Sequence, residues 1–291
     1  MTKRIIAGVK RGLGLHRPSR SLVILSDDVF LVSFPKSGNT WGRFLIANLL
    51  YPEQTVTFAN LHRLIPDPTA TTKRDFDRIP RPRIIKSHEC FDPRYPRVIY
   101  IVRDPRDVTV SQYHYHRKLR RIEDDSPIER FVTHFLAGET CSHGSWGQNV
   151  LTWLATREGD PRFLLLHYED MVADTRRELG KIAAFLGINV SAEHIARAVE
   201  RSSAERMRKM EQTQTDKCLL TKGSRKDLSF VRSASTNGWR SELPADLVAK
   251  IEISWGPIMR HLGYELVTSD VRAVEHFPIL ALGGAVGMRA Q

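Results

Sequence analysis

Short apolar runs alternate with helical patterns along this chain, which points to a single three-layer α/β domain around a central parallel sheet. Two further observations agree. The runs are continuous rather than alternating, as strands buried on both faces are. No repeat or low-complexity tract interrupts the 291 residues, a length that suffices for one large domain with a real core. The domain is expected over residues 27–268, with a basic leader at 1–26 and a tail at 269–291. With 41% hydrophobic and 26% charged residues, collagen-like, coiled-coil and wholly disordered classes are excluded.

The first strand is expected at residues 29–34 and stops at Pro35. Lys36, Ser37, Gly38 and Asn39 form a turn, and residues 40–50 read as a helix whose Phe44, Leu45 and Leu49 recur at helical spacing. Strand, polar turn, helix is a phosphate-cradle arrangement, because a helix start offers unpaired N–H groups and a positive dipole end. Further strands are expected at 83–88, ending in Ser87-His88, at 97–103 and at 163–168. After the third run, Asp104-Pro105-Arg106-Asp107 is a helix start, with Asp as N-cap, Pro in the first turn and an acid three residues on. That helix carries Ser111. Residues 146–157 and 175–186 read as helices, the second closed by Gly187. Residues 212–242 are polar with little periodicity and read as a long loop, of the kind that is usually functional or disordered.

Lys+Arg 44 against Asp+Glu 33 gives a formal charge of +11, which favours anionic partners. Six basic residues precede the first acid, Asp27, so part of this charge belongs to the leader. Cys90, Cys141 and Cys218 form no C-x-x-C pair, so neither a disulfide framework nor a zinc knuckle is indicated. A reducing, cytoplasmic setting is the expectation. No apolar run reaches the ~20 residues of a membrane helix, and the leader lacks the apolar core of a secretory signal. Ile5, Ile6, Val9, Leu13 and Leu15 among basic residues would allow residues 1–20 a peripheral membrane contact. A solvated leader is the preferred reading of the two.

Ser33-Phe34-Pro35-Lys36-Ser37-Gly38-Asn39-Thr40 is a near miss of the ATP-type loop G-x-x-x-x-G-K-[ST]. Asn39 stands where the lysine belongs, and the lysine lies three residues earlier at Lys36. A phosphate site survives that change; the usual ATPase lysine and Mg²⁺ geometry does not. The bland reading is a tight turn with an exposed lysine. Arg103, at the carboxyl end of a strand, and Ser111, on the helix that follows, weigh against it, because both fall where open α/β sheets bind ligands. An arginine grips phosphate with two parallel hydrogen bonds, although an isolated Arg-Asp pair is more often a solvated ion pair.

Phe34-Pro35-Lys36-Ser37-Gly38-Asn39-Thr40-Trp41 resembles the 5′-phosphosulfate loop of the cytosolic-type sulfotransferases. The run from Tyr100 through Arg103-Asp104-Pro105-Arg106-Asp107 to Ser111 resembles their 3′-phosphate motif. His88 falls where that family keeps its catalytic histidine, and Tyr168-Glu169-Asp170-Met171 resembles a further family signature. The likeness spans about residues 29–262, with the motifs in order. It implies a P-loop-NTPase-like sulfotransferase fold. The implied reaction moves the sulfuryl group of 3′-phosphoadenylyl sulfate (PAPS) to a hydroxyl or amine, releasing adenosine 3′,5′-bisphosphate, with no metal. It also implies roles: N–H groups of Ser37, Gly38 and Asn39 with the Thr40 hydroxyl for the 5′-phosphate, and Lys36 for the leaving group. Arg103 and Ser111 would take the 3′-phosphate, Trp41 would stack on adenine and Tyr168 would bond near the base. His88 is the implied general base, with Lys86 steadying charge beside it. Taken alone, a single histidine is more often structural.

The likeness thins towards the C-terminus. Where the family reads Arg-Lys-Gly-x-x-Gly-Asp-Trp, this chain has Arg232-Ser233-Ala234-Ser235-Thr236-Asn237-Gly238-Trp239. Arg232 is kept as a 3′-phosphate candidate. Ser203 matches the serine that reaches the same phosphate, but Ala204 replaces the phenylalanine that closes over adenine, so weaker donor binding is expected. His114 and His116 diverge on a helix and make no paired metal site, and His167 is read as structural. The acceptor is left open as a small molecule, a glycan or a lipid, met by residues 51–81, 115–147 and 212–242. An ATP-dependent kinase or NTPase is the first rival and a basic nucleic-acid or anion-binding module the second. A nucleic-acid partner is not expected, because the basic residues do not interleave with stacking aromatics. A donor-binding protein without chemistry is the third rival, against which Lys36 and His88 speak.

Overall fold

The computed structural model describes residues 22–214 and 223–269. The expected membrane contact of residues 1–20, the tail from 270 and Cys218 lie outside the described residues.

Four parallel strands, β1 (Val29–Ser33), β2 (Ile84–Ser87), β3 (Arg97–Val102) and β4 (Phe163–His167), lie in the order β2-β1-β3-β4. Val29 stands opposite both Ile84 and Arg97, and Val98 opposite Phe163. Successive side chains of a strand point to opposite faces, so each strand feeds two cores. Phe30, Val32, Tyr100 and Val102 pack on one face, Val29, Leu31, Ile99 and Ile101 on the other. Of the middle strands β1 is buried throughout and β3 at every position but Arg97, which is why their sequences read as apolar runs.

The helices are α1 (Asn39–Leu50), α2 (Leu61–Leu64), α3 (Lys73–Phe76), α4 (Pro105–Lys118), α5 (Ile128–Leu136) and α6 (Trp146–Arg157). They continue with α7 (Tyr168–Ala173), α8 (Thr175–Leu186), α9 (Ala192–Arg201), α10 (Ala204–Gln214), α11 (Trp239–Glu242) and α12 (Ala245–His261). Helices α1, α8 and α9 cover one face of the sheet, while α5, α6 and α12 cover the other. This is the three-layer domain expected from the sequence. Asp104 caps α4 by accepting the Arg106 N–H, with Pro105 in the first turn, and Gly187 ends α8 at φ 74°.

Several boundaries differ from the sequence expectation. Tyr168 opens α7 instead of ending β4, because its ring turns in beside the β1–α1 loop. Gln212 belongs to α10 and Trp239 starts α11, so the long polar segment is helical at both ends. Leu22 and Ile24, placed in the leader by sequence, pack against the core. Among the described residues no helix is long and apolar enough to cross a membrane.

Candidate active site

Strand order reverses at β1: the chain leaves β1 to reach β2 on one side and then crosses to β3 on the other. A crevice opens at such a point, at the carboxyl ends of the strands. The β1–α1 loop closes with Ser37 N–H donating to the Phe34 carbonyl at 3.2 Å. Lys36 (φ 73°) and Gly38 (φ 98°) both take the left-handed conformation. At Gly38 this has two causes: a Cβ there would lie 2.6 Å from the Tyr168 ring, and the φ itself disfavours any side chain. Helix α1 then starts without a side-chain cap, so its first N–H groups stay open to an anion.

A cleft of about 640 Å³ runs from this loop across the sheet edge. Lys36, Gly38, Asn39, Thr40, Trp41, Lys86, His88, Arg103, Ser111, Tyr168, Ser203 and Arg232 line it. Ser37 is the predicted site residue that does not; its side chain is buried behind the loop, with the hydroxyl unpartnered among the described residues. The Asn39 amide donates to Leu31 O (3.1 Å) and Ser33 Oγ (3.2 Å), so the position that carries the ATPase lysine is here a structural tie.

Arg103 stacks 4.3 Å over the Tyr168 ring, donates to Lys36 O at 3.3 Å and Ser235 O at 3.1 Å, and lies 3.8 Å from Asp107. Its Nε is buried with no partner among the described residues, a donor left for a ligand. Trp41 meets Tyr168 edge-on at 5.7 Å and donates its indole N–H to Ser202 O. Arg232 pairs with Glu242 at 2.6 Å, and Glu242 also holds His114. Lys36 points its ammonium between Tyr115 and Phe230, 4.4 and 4.3 Å from their ring centres. Burial, then the Arg103 charge, pushes its pKa down to about 7.

His88 Nδ1 lies 2.6 Å from the Ser33 carbonyl. A carbonyl only accepts, so Nδ1 carries the proton and Nε2 keeps a bare lone pair. Burial first, then the Lys86 charge, lowers the imidazole pKa well below the usual value and keeps the ring neutral. Lys86 is itself pushed down by burial although it pairs with Asp67 at 2.5 Å. The His143 ring packs edge-on against His88 at 5.6 Å.

Several residues that hold this site escape sequence reading. Asp107 accepts the N–H groups of Asn237 (2.8 Å) and Trp239 (3.0 Å), tying the C-terminal segment to α4. Glu211 accepts those of Phe230 (2.6 Å) and Val231 (3.1 Å) and pairs with buried Lys118 at 3.2 Å. Arg208 donates to the Val231, Arg232 and Ser233 carbonyls. Glu169 accepts the Asp104 N–H at 3.0 Å and the Tyr264 hydroxyl at 3.2 Å, and burial raises its pKa to about 7. Asp107 and Glu169 stand in motifs read from the sequence without their remote partners showing there, and Glu211 and Arg208 carry no sequence signal, because sequence does not display burial.

A group-transfer site for an anionic, phosphate-bearing co-substrate is what the loop, the arginine and the neutral imidazole define together. Residues 26–262 match the family model described as Sulfotransferase domain. Sulfotransferase 1A1 of Bos taurus is 30% identical over 240 residues, covering 77% of this chain and 80% of its own length. Cytosolic sulfotransferase 12 of Arabidopsis thaliana is 29% identical, covering 77% and 75%. The crystal structure of mouse sulfotransferase SULT7A1 complexed with PAP superposes with a TM-score of 0.65 at 25% identity, over 87% of this chain and 89% of that one. The chain belongs to the sulfotransferase family, and it is a PAPS-dependent sulfotransferase.

Proposed function

We propose that His88 and Lys36 carry the transfer, with a hydroxyl-bearing small molecule as acceptor. The observation that carries this reading is the His88 geometry: a ring fixed by Nδ1–H to the Ser33 carbonyl, kept neutral by burial, with its free nitrogen available in the cleft that Lys36 also lines. PAPS supplies an activated sulfuryl group, and adenosine 3′,5′-bisphosphate leaves.

The residues present fit that donor. The open start of α1 and the Gly38 turn accept a phosphate, and the orphaned Arg103 Nε with Ser111, Ser203 and Arg232 offers a second anion site beside Tyr168 and Trp41. Lys36 holds its charge at the loop where negative charge develops. His88 takes the acceptor proton, and Lys86, fixed by Asp67, favours the neutral ring that can do so. Ala204 and Met207 line the cleft where the family has its closing phenylalanine, so adenine is held chiefly from the Trp41 side and donor affinity is lowered. The catalytic unit is residues 27–268, acting in the cytoplasm.

The test is His88→Asn beside Lys36→Met. His88→Asn lowers kcat by about 10²–10⁴-fold while binding of adenosine 3′,5′-bisphosphate, measured by calorimetry, changes less than about threefold. Lys36→Met lowers kcat and weakens the bisphosphate. A His88→Asn enzyme with near-normal kcat would remove histidine from the mechanism.

A further inference from the structure

The cleft is lined by five cations, Lys36, Lys86, Arg103, Arg121 and Arg232, and by no carboxylate among the described residues. Three of these belong to the proposed donor site. Lys86 is bound to Asp67. Arg121 is left over: its side chain forms no ion pair among the described residues, and its residue is exposed at the cleft wall. Neighbouring cations on the same surface are matched, Arg117 and Arg225 by Asp124 and Lys118 by Glu211.

A chain of neighbours leads from His88 along the cleft wall to Arg121. His143 packs on His88, and Thr140, three residues before it, holds His116 through its backbone. His116 in turn feels the Arg121 charge; burial, then Arg121, pushes its pKa down to about 4, so it stays neutral and Arg121 is the cation there. Thr140 lines the same wall and is buried (8% residue exposure), and its hydroxyl has no partner among the described residues. Arg121 and Thr140 thus share one cleft lining with His143, whose ring packs on His88. The adjoining hollow, about 300 Å³ on the other side of Lys86 and His88, carries Asp67, Glu89 and Asp92 instead.

We propose that Arg121 and the Thr140 hydroxyl form an acceptor subsite for an anionic substituent, so that the preferred acceptors carry a carboxylate-type group besides the hydroxyl that is sulfated. The inference rests on the sulfotransferase reading of the cleft. An arginine–carboxylate contact inside a cleft is a charge-assisted pair, and discrimination of about tenfold is expected from it.

Three phenols with side chains of similar length separate the cases: 3-(4-hydroxyphenyl)propionate, 4-propylphenol and tyramine. Initial rates with PAPS are measured for each, and binding of each to the complex with adenosine 3′,5′-bisphosphate is measured by calorimetry. The carboxylate is expected to lead the neutral phenol by about tenfold in kcat/KM and in affinity, with tyramine last. In Arg121→Gln that ratio falls to near one, and in Arg121→Glu tyramine overtakes the carboxylate. Retained binding of the bisphosphate shows that both variants are folded. Equal use of the carboxylate and neutral phenols, a lead by tyramine, a ratio indifferent to residue 121, or no binding of the carboxylate to the bisphosphate complex each overturns the proposal. Failure of the wild-type protein to bind the bisphosphate at all would instead sink the donor reading beneath it.

Discussion

Lys36 concentrates the residue-scale argument, because its backbone is left-handed, its ammonium sits between two rings and burial has brought its pKa to about 7. A cation whose pKa is lowered in the folded protein loses its charge as pH rises through that lowered value. In the free enzyme Lys36 is therefore about half deprotonated near pH 7, and an anionic donor, favouring the charged form, pulls the proton back. Binding of adenosine 3′,5′-bisphosphate at pH 8 is expected to take up a substantial fraction of one proton. Calorimetry in buffers of different ionisation enthalpy reads this directly, and the uptake disappears in Lys36→Met. The His88 pKa is depressed as well, so the proposed base stays unprotonated as pH falls below 6.5. The acid limb of kcat/KM then lies below the ordinary histidine range. Uptake of no proton at pH 8 would show that Lys36 is fully charged before the donor arrives. Both positions were singled out in sequence, Lys36 by the turn after an apolar run and His88 through the family resemblance, and both line the cleft. Their protonation was not legible, because burial is a property of the whole fold and the Arg103 charge that acts on Lys36 comes from another strand.

Among the elements, the loop after β1 could be read from eight consecutive residues, whereas the segment that closes the donor side could not. Residues 223–238 have no helix or strand of their own, and what places them is remote: Asp107 on α4, Glu211 and Arg208 on α10. Asp107 lies 130 residues from the Asn237 amide it holds, and no local periodicity announces such a pair. Glu211→Ala is expected to free the Phe230 and Val231 amides, remove Phe230 from Lys36 and raise the Kd for the bisphosphate by about tenfold, the loss of one to two hydrogen bonds to a charged group. Hydrogen exchange at these two amides should quicken, while amides of β1 and β3 keep their protection. Unchanged exchange at Phe230 would show that Arg208 and Asp107 suffice to hold the segment. Helices α9 and α12 were not anticipated, although α9 has a local start signal in Ser191, which accepts the His194 N–H. Their place is set by the faces of the sheet that they cover.

On the scale of the whole molecule, the anion sites lie on both sides of one chain reversal. The β1–α1 loop stands on one side and Arg103, at the end of β3, on the other. A ligand that spans both adds to the links that the sheet and the Arg103 bond to Lys36 O already make, so binding should report on global stability. For a site occupied at 100 times Kd, linkage gives about 2.7 kcal/mol, and a domain of this size gains roughly 2–4 °C per kcal/mol. Adenosine 3′,5′-bisphosphate is therefore expected to raise Tm by about 5–10 °C at that excess. ADP, which lacks the 3′-phosphate, reaches only the loop side and at the same concentration should add a small fraction of this. Arg103→Ala should abolish the difference between the two nucleotides, because the guanidinium proposed to read the 3′-phosphate is gone. The variant also loses the stacking on Tyr168 and the bond to Lys36 O, so its own Tm falls and the comparison is made on the shift, not on the absolute value. Equal shifts from both nucleotides in the wild-type protein would mean that the β3 side does not discriminate a 3′-phosphate, and Arg232 with Ser203 would then be the groups to vary.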